Sequence, residues 1–374
     1  MSNTHTVTQS LSASIASQLI GRDREAVIVT LALIAREHVL MVGPPGTAKS
    51  LLCRVTAGTI IDARYCERLL SPTTAPEAIW GPVSIAALRQ DRYEHVTAGY
   101  AADAHVLYLD EVGRASPAIL DTLLHLLGPE RQALIGTQQI KTPLVAAIGS
   151  ANTWPEDAAM LDRWTLRASV QYLGAGLRRQ LLTFAPPVPK AVASLADLAA
   201  AHNTSLTLSW SPAAFTTLDE ILNDLDEAGI AVSDRRLRAG DRVARAAAVL
   251  RGGTSVEPGD LEALQWVLWT VPDQAATAAQ KVVARANPIG AKLDQLLSET
   301  DELVRSITDA ATRLDAVQKI DAILKEAKGI ANQPGANGRA AKVVKYVHGA
   351  HVRLQGQIMG LPADKIELML AAAS

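Results

Sequence analysis

Apolar and polar positions alternate with two different rhythms along the 374 residues. Up to about residue 186, short apolar runs take turns with stretches of helical spacing. Residues 26–36 carry apolar side chains at helical spacing, 38–43 form a short apolar run ending in glycine, and 49–60 are helical again. Residues 106–109 form a second apolar run. In 116–127 helical periodicity returns, with Ser116 as N-cap and Pro117 at the first helical position. Residues 144–148 and 166–172 supply a third and a fourth strand. Short apolar strands alternating with helices predict an α/β fold whose sheet is mostly parallel and covered on both faces. Residues 78–104 are less regular, and read as an inserted hairpin or loop near 78–104 on the sheet domain.

Residues 184–189 (FAPPVP) hold three prolines in four positions and predict a semi-rigid linker. Beyond it the rhythm is helical throughout. Residues 191–202, 212–228, 234–251 and 260–270 form one helical block, with start signals at Ser211-Pro212 and Pro258-Gly259-Asp260. From about 274 to 374, Leu293, Leu296, Leu297, Leu303, Ile307, Leu314, Val317, Ile320 and Leu324 recur at helical spacing with charges between. They predict a long helix pair or short coiled coil, broken at 329–338 and resuming at 340–355, and the favoured reading is a helical bundle that packs on itself. The chain therefore divides into a sheet domain (1–186), a helical block (190–273) and a helical extension (274–374).

Composition narrows the partners. Hydrophobic residues make up 48% and charged residues 20%, an ordinary globular balance. The formal net charge of −2 lacks the basic excess of a non-specific nucleic-acid binder. Two cysteines, Cys53 and Cys66, give neither a disulfide framework nor metal-ligand spacing. The Ser/Thr-rich start does not read as a signal peptide, and no apolar run is long enough to cross a membrane, so a cytoplasmic protein without membrane insertion is expected.

The chemistry lies at residues 43–50, Gly43-Pro44-Pro45-Gly46-Thr47-Ala48-Lys49-Ser50. An apolar strand precedes them and a helix follows, the context a phosphate-binding loop requires. Backbone N–H groups and the helix N-terminus point at phosphates, glycines at 43 and 46 let the backbone approach, Lys49 reaches the β- and γ-phosphates, and Ser50 can ligate Mg²⁺. Leu51 continues the nucleotide-binding segment. Ala48 replaces a consensus glycine and is expected to hold helical backbone angles. A second apolar strand delivers Asp110 and Glu111 at its C-terminal edge. Asp110 is the candidate Mg²⁺ contact and Glu111 the candidate general base. Asn152, just past the third run, either orients the water or is a turn asparagine. Arg163 either stabilises phosphoryl charge in a neighbouring subunit or makes a surface ion pair. Arg235 and Arg236 open a helix of the second block, from which an arginine could reach the nucleotide.

These residues resemble the MoxR family of AAA+ ATPases, and its RavA-like branch in particular, over roughly residues 10–272. The resemblance rests on GPPGTAKS with its Ala48, on 77–88 (EAIWGPVSIAAL), 92–99 (RYEHVTAG), 108–124 (YLDEVGRASPAILDTLL), 150–155 (SANTWP), 161–164 (LDRW) and 232–236 (VSDRR), in the family's order. It implies an AAA+ P-loop sheet domain followed by an all-helical lid. It also implies that Asn152 is sensor 1, Arg163 the arginine finger and Arg235 the sensor 2 arginine. Gly21 and Arg22 would line the adenine, and residues 81–100 would form the family's β-hairpin-containing insert. Arg131 would lie near the subunit interface, and Arg114 would be structural. The ligands implied are ATP or ADP with Mg²⁺. The partners implied are further copies of the chain in a ring, a hexamer by the family expectation, a von Willebrand factor A domain protein, and a protein client that is remodelled. Two other activities fit the same fold: a nucleic-acid motor or loader, against which the mixed signs of Arg89, Asp91, Arg92 and Glu94 count, and a nucleotide-gated scaffold with little turnover, which has no need of Glu111.

Overall fold

The computed structural model describes residues 2–135, 138–188, 190–307, 309–332, 338–362 and 365–366. Of the expected features, Pro189 of the linker and 333–337 of the break lie outside these residues. The chain forms two compact units, Met1–Val282 and Val283–Ser374. In the first, α1 (Ser2–Ser17) and α2 (Asp23–Ala35) lead into β1 (Val39–Val42), α3 (Lys49–Gly58), β2 (Ile60–Ile61) and β3 (Tyr65–Leu69). The short helices α4 (Pro76–Trp80) and α5 (Ile85–Leu88) precede β4 (Val106–Asp110) and α6 (Pro117–Leu126). Then come β5 (Gln132–Ile135), β6 (Gln138–Lys141), β7 (Ala146–Ala151), α7 (Ala158–Arg163), β8 (Leu166–Ser169) and α8 (Ala175–Thr183). The remainder is β9 (Ala193–Ser194), α9 (Leu195–Thr207), β10 (Ser209–Trp210), α10 (Pro212–Glu227), α11 (Asp234–Arg251), β11 (Ser255–Val256) and α12 (Ala275–Ala286), within which the two units divide.

Five strands form one parallel sheet in the order β3-β4-β7-β1-β8. All four residues of β1 and all six of β7 are buried, as strands covered on both faces must be. β3 was not anticipated: it is the edge strand, only Cys66 in it is fully buried, and so it carries no apolar run. Trp164 lies directly on Gly149, where a Cβ would stand 2.7 Å from the indole ring. The hairpin expected near 78–104 is reduced to a single antiparallel bridge, Val83 to His95, enclosing α5. The antiparallel hairpin of this domain is instead β5–β6. Residues 260–270, expected as α-helix, lie mostly in a 3₁₀ segment, Pro258–Trp266. α11 has the bounds its pattern predicts, with the Ser233 side chain accepting the Arg236 N–H and Gly252 closing it at φ 82°. It packs on α2 and α9, which joins the helical block to the sheet domain.

The second unit is a helical bundle that packs on itself, of three helices and not a single pair. α13 (Pro288–Arg305), α14 (Ala310–Ala331) and α15 (Gly338–Ile358) form a three-helix bundle around Leu293, Leu296, Ile320, Ala327, Val343 and Val347. Most of the residues at heptad-like spacing join this cluster, while Leu314 is exposed.

His38 closes the start of β1. Its Nδ1 accepts the Ala147 N–H at 3.0 Å, and its ring meets Trp164 edge to face. Burial, and then the nearby Arg131 charge, hold its pKa well below the ordinary 6.5. The unfolded chain therefore takes up a proton near pH 6.5 that the folded protein refuses, so this contribution to stability is present above that pH and lost below it, by up to about 1.4 kcal/mol per pH unit. Urea unfolding should show stability declining as pH falls through this range, and His38→Asn should flatten part of the decline. An equal slope in the variant would exclude His38 as a source.

Candidate functional site

The P-loop begins where β1 ends. Gly43 is demanded by a close approach: a Cβ there would lie 1.9 Å from the Val170 carbonyl oxygen. Gly46 turns the chain at φ 79° with open space where its Cβ would be. Ala48 does not have the helical angles expected of it. It is left-handed, at φ 66° and ψ 24°, because the loop must reverse before α3 starts at Lys49. Among the described residues, the backbone N–H groups of Gly46, Thr47 and Ala48 have no hydrogen-bond partner. Thr47 Oγ1 donates to Pro44 O at 2.9 Å. Lys49 is almost buried and donates from Nζ to Gly43 O at 2.6 Å and Pro44 O at 3.0 Å. Burial lowers its pKa, opposed by the charges of Asp110 and Glu111. A concave loop with three free N–H donors, an ammonium turned onto its own carbonyls and a serine at 50 fits a polyphosphate.

β4 brings the carboxylates to the same edge. Tyr108 OH donates to Asp110 Oδ1 at 3.0 Å and stands 2.9 Å from Ser150 Oγ, while Ser150 Oγ also donates to Asp110. The Glu111 N–H reaches Asp110 Oδ1 at 3.1 Å. Glu111 is itself left-handed at φ 57°, which turns its side chain off the strand line. Asn152 Nδ2 then donates to Glu111 Oε1 at 2.7 Å. The asparagine is thus joined to the candidate base. Tyr108 and Ser150 were not singled out from the sequence. Their period-two spacing from Asp110 and Asn152 put them on the same face as those residues, which was the available signal. Arg22 donates to the Gln171 carbonyl at 2.8 Å, and a Cβ on Gly21 would stand 2.8 Å from Leu173 and Leu177. Gln171 follows directly on Val170, the residue against Gly43, so Arg22 lies near the start of the loop. Among the described residues no group of three or more His, Cys, Asp or Glu side chains is placed to hold a metal alone.

Residues 5–191 match the family model described as the MoxR domain in the MoxR-vWA-beta-propeller ternary systems, and residues 214–282 match an AAA lid domain. The chain belongs to the MoxR family of AAA+ ATPases. It is 31% identical over 264 residues to an uncharacterized protein of Methanocaldococcus jannaschii, covering 69% of this chain and 70% of that one. It is 27% identical over 190 residues to the Mycobacterium tuberculosis protein named chaperone MoxR1, covering 48% of this chain and 49% of that one. A solved structure of a candidate ATPase from Cytophaga hutchinsonii shares the fold, with a TM-score of 0.62 at 17% identity over 76% of this chain and 96% of that one.

In this MoxR-family chain neither Arg163, expected to act on a neighbouring subunit, nor Arg235 lies at the P-loop of its own chain. Arg163 ends α7 immediately before β8, and Arg235 Nη1 lies 2.8 Å from Asp162 Oδ2. Both therefore stand at the edge where the parallel strands begin, separated from the P-loop by about 13 Å of strand. Arg235 does not reach the nucleotide loop of its own chain from the helical block, as a cis contact would require. Arg236 is buried, donates to Val267 O at 3.1 Å and anchors α11. Arg131 is committed to main-chain carbonyls, those of Arg36, Leu144 and Val145, which leaves it a structural knot. A cavity of about 1210 Å³ opens at this same edge, between His38, Leu144 and Thr165 of the sheet domain and Arg235, Arg238 and Arg242 of α11.

A left-handed alanine costs about 1 kcal/mol that glycine does not. Ala48→Gly is expected to raise the unfolding free energy of the nucleotide-free protein by about 0.5–1 kcal/mol, read from urea midpoints. A loss of stability would show that residue 48 does not hold this conformation.

Proposed function

We propose that this chain hydrolyses ATP at the edge formed by the ends of β1, β4 and β7, and uses the cycle to remodel or activate other proteins. The observation that carries this reading is the 2.7 Å bond from Asn152 to Glu111, beside an Asp110 held by Tyr108 and Ser150. A pure binder has no use for an oriented second carboxylate. The loop N–H groups, Lys49, and the wall made by Gly21 and Arg22 would bind the nucleotide, with Pro44, Pro45, Thr47 and Leu51 shaping the segment. Lys49 would swing its ammonium from Gly43 O and Pro44 O onto phosphate oxygens. Ser50 and Asp110 would hold Mg²⁺, which neutralises charge on those oxygens when bound. Glu111 accepts the proton of the attacking water, and Asn152 fixes which carboxylate oxygen faces it.

The position of Arg163 and Arg235 supports a site shared between copies. One protomer presents the loop and carboxylates, and the next presents its two arginines. Such head-to-tail contact closes into a ring, with six copies as the family expectation. In this proposal the division into a sheet domain, a lid (190–273) and a helical extension stands, with the lid joined through α11 to the arginine edge. A von Willebrand factor A protein is the proposed partner, supported both by the RavA-like blocks and by the description of the matching family model, which adds a β-propeller component. The cytoplasm is the proposed compartment. Among the described residues no helix is long and apolar enough to cross a membrane.

Glu111→Gln should retain nucleotide binding and lose phosphate release by about 10²–10⁴-fold. Arg163→Ala should lose turnover by about 10³-fold or more without weakening binding to its own loop. Equal, negligible release from wild type and Glu111→Gln would sink the enzyme reading.

A further inference from the structure

At the arginine edge, four guanidinium groups gather around the Asp162 carboxylate, and Glu37 pairs with Arg242 and adds its charge near Arg236. Arg163, Arg167, Arg235 and Arg236 all feel the charge of Asp162 or pair with it. Asp162 uses its two oxygens differently. Oδ1 lies 3.3 Å from Nη2 of Arg236, whose side chain is 4% exposed and whose Nη1 is fixed on Val267 O. Oδ2 lies 2.8 Å from Nη1 of Arg235, whose side chain is 50% exposed. One oxygen therefore faces a buried anchor, and the other holds a half-exposed cation. Arg167 is buried beside them, its guanidinium 3.9 Å over the Trp269 ring and bonded to Thr270 O. It fixes the strand that follows Asp162 and Arg163 to Trp269 and Thr270, just after the 3₁₀ segment of the helical block.

We propose that Asp162 is a positioning residue, which brackets Arg235 beside Arg163 so that the two arginines of one protomer enter the neighbour's nucleotide site as a pair. The inference rests on the shared-site reading above. Without the carboxylate, like charges on adjacent elements repel, and the exposed Arg235 is the one free to leave. The exposed pair between Asp162 and Arg235 is weak in water. It holds the arginine ready and yields it to a stronger acceptor, since a phosphate oxygen gives a shorter, charge-assisted contact. The buried pair with Arg236 persists through that exchange, so α11 keeps its seat. Arg163 is the next residue of α7, near enough to Asp162 and Arg235 for their charges to act on it.

The test is complementation between variants of the full chain. Glu111→Gln lacks only the base of its own loop, and Arg163→Ala lacks only a contribution to the neighbour. A mixture of these two should recover about a quarter of wild-type turnover, the share of interfaces that random placement makes competent. Asp162→Asn alone should lose turnover about tenfold or more while binding nucleotide at its own loop within about twofold of wild type. Mixed with Glu111→Gln it should recover as Arg163→Ala does, because its own loop and carboxylates are intact. Asp162→Glu, which restores the charge, should recover part of the loss where a merely misfolded variant would not. Wild-type turnover in Asp162→Asn would overturn the proposal. So would failure of its mixture with Glu111→Gln when the Arg163→Ala mixture recovers. If the Arg163→Ala mixture also stays inactive, the shared-site reading itself falls, and the role of Asp162 falls with it.

Discussion

The parallel pairing of β4 with β7 and of β7 with β1 is the constraint on which the site depends. Leu109 stands opposite Gly149, and Leu40 opposite the same residue from the other side. Because the three strands run the same way, the residues that follow them emerge at one edge: Gly43 after β1, Asp110 and Glu111 at the end of β4, and Asn152 after β7. A slip of one residue in β7 would turn Ser150 away from Asp110 and reverse every buried side chain of that strand. Gly149 holds the register from one face. Nothing larger fits between β7 and the Trp164 ring, and the same indole meets His38 at the start of β1.

A parallel sheet has two unlike edges, and this protein separates its charges between them. Carboxylates, the phosphate loop and one lysine occupy the edge where the strands end. Arginines crowd the edge where they begin, and several are buried at a cost that must be met locally. Arg131 meets it with three carbonyls, whereas Arg167, on the Trp269 face and one carbonyl, and Arg236, beside Asp162 and on the Val267 carbonyl, meet it only in part, since Nε and Nη2 of both are buried without a hydrogen-bond partner. These contacts join α11 and the segment around Trp269 to the sheet. Trp154, two residues after Asn152, meets Trp269 edge to face at 5.3 Å. The loop carrying Asn152 and the helical block therefore touch through aromatic packing, which gives the nucleotide edge a material link to the arginine edge.

Much of this organisation was legible in the chain itself. The apolar runs of β1, β4 and β7, the Pro117 helix start and the full span of α11 follow from local period and capping. The P-loop and the Asp110-Glu111 pair are contiguous motifs, and their chemistry follows from residue type and from strand context. β3 escaped because an edge strand carrying Glu67 and Arg68 has no buried run to betray it. The β5–β6 hairpin escaped because its strands are short and partly polar, with most of β6 exposed.

Pattern and motif thus determined the elements, the family and the residues able to bind phosphate and move a proton. The tertiary structure alone decided which of them meet. It put Asn152 on Glu111 and Tyr108 and Ser150 on Asp110, made Ala48 left-handed, and separated Arg235 from the loop it was expected to reach from its own helical block. Adjacent in sequence, Arg235 and Arg236 look alike. One is exposed and the other is an anchor, because successive residues on a helix point about 100° apart and only one of those directions faces the core. Local period is a property of a few neighbouring residues, whereas pairing across the sheet and burial against α11 depend on residues far apart in the chain, and no local pattern records them.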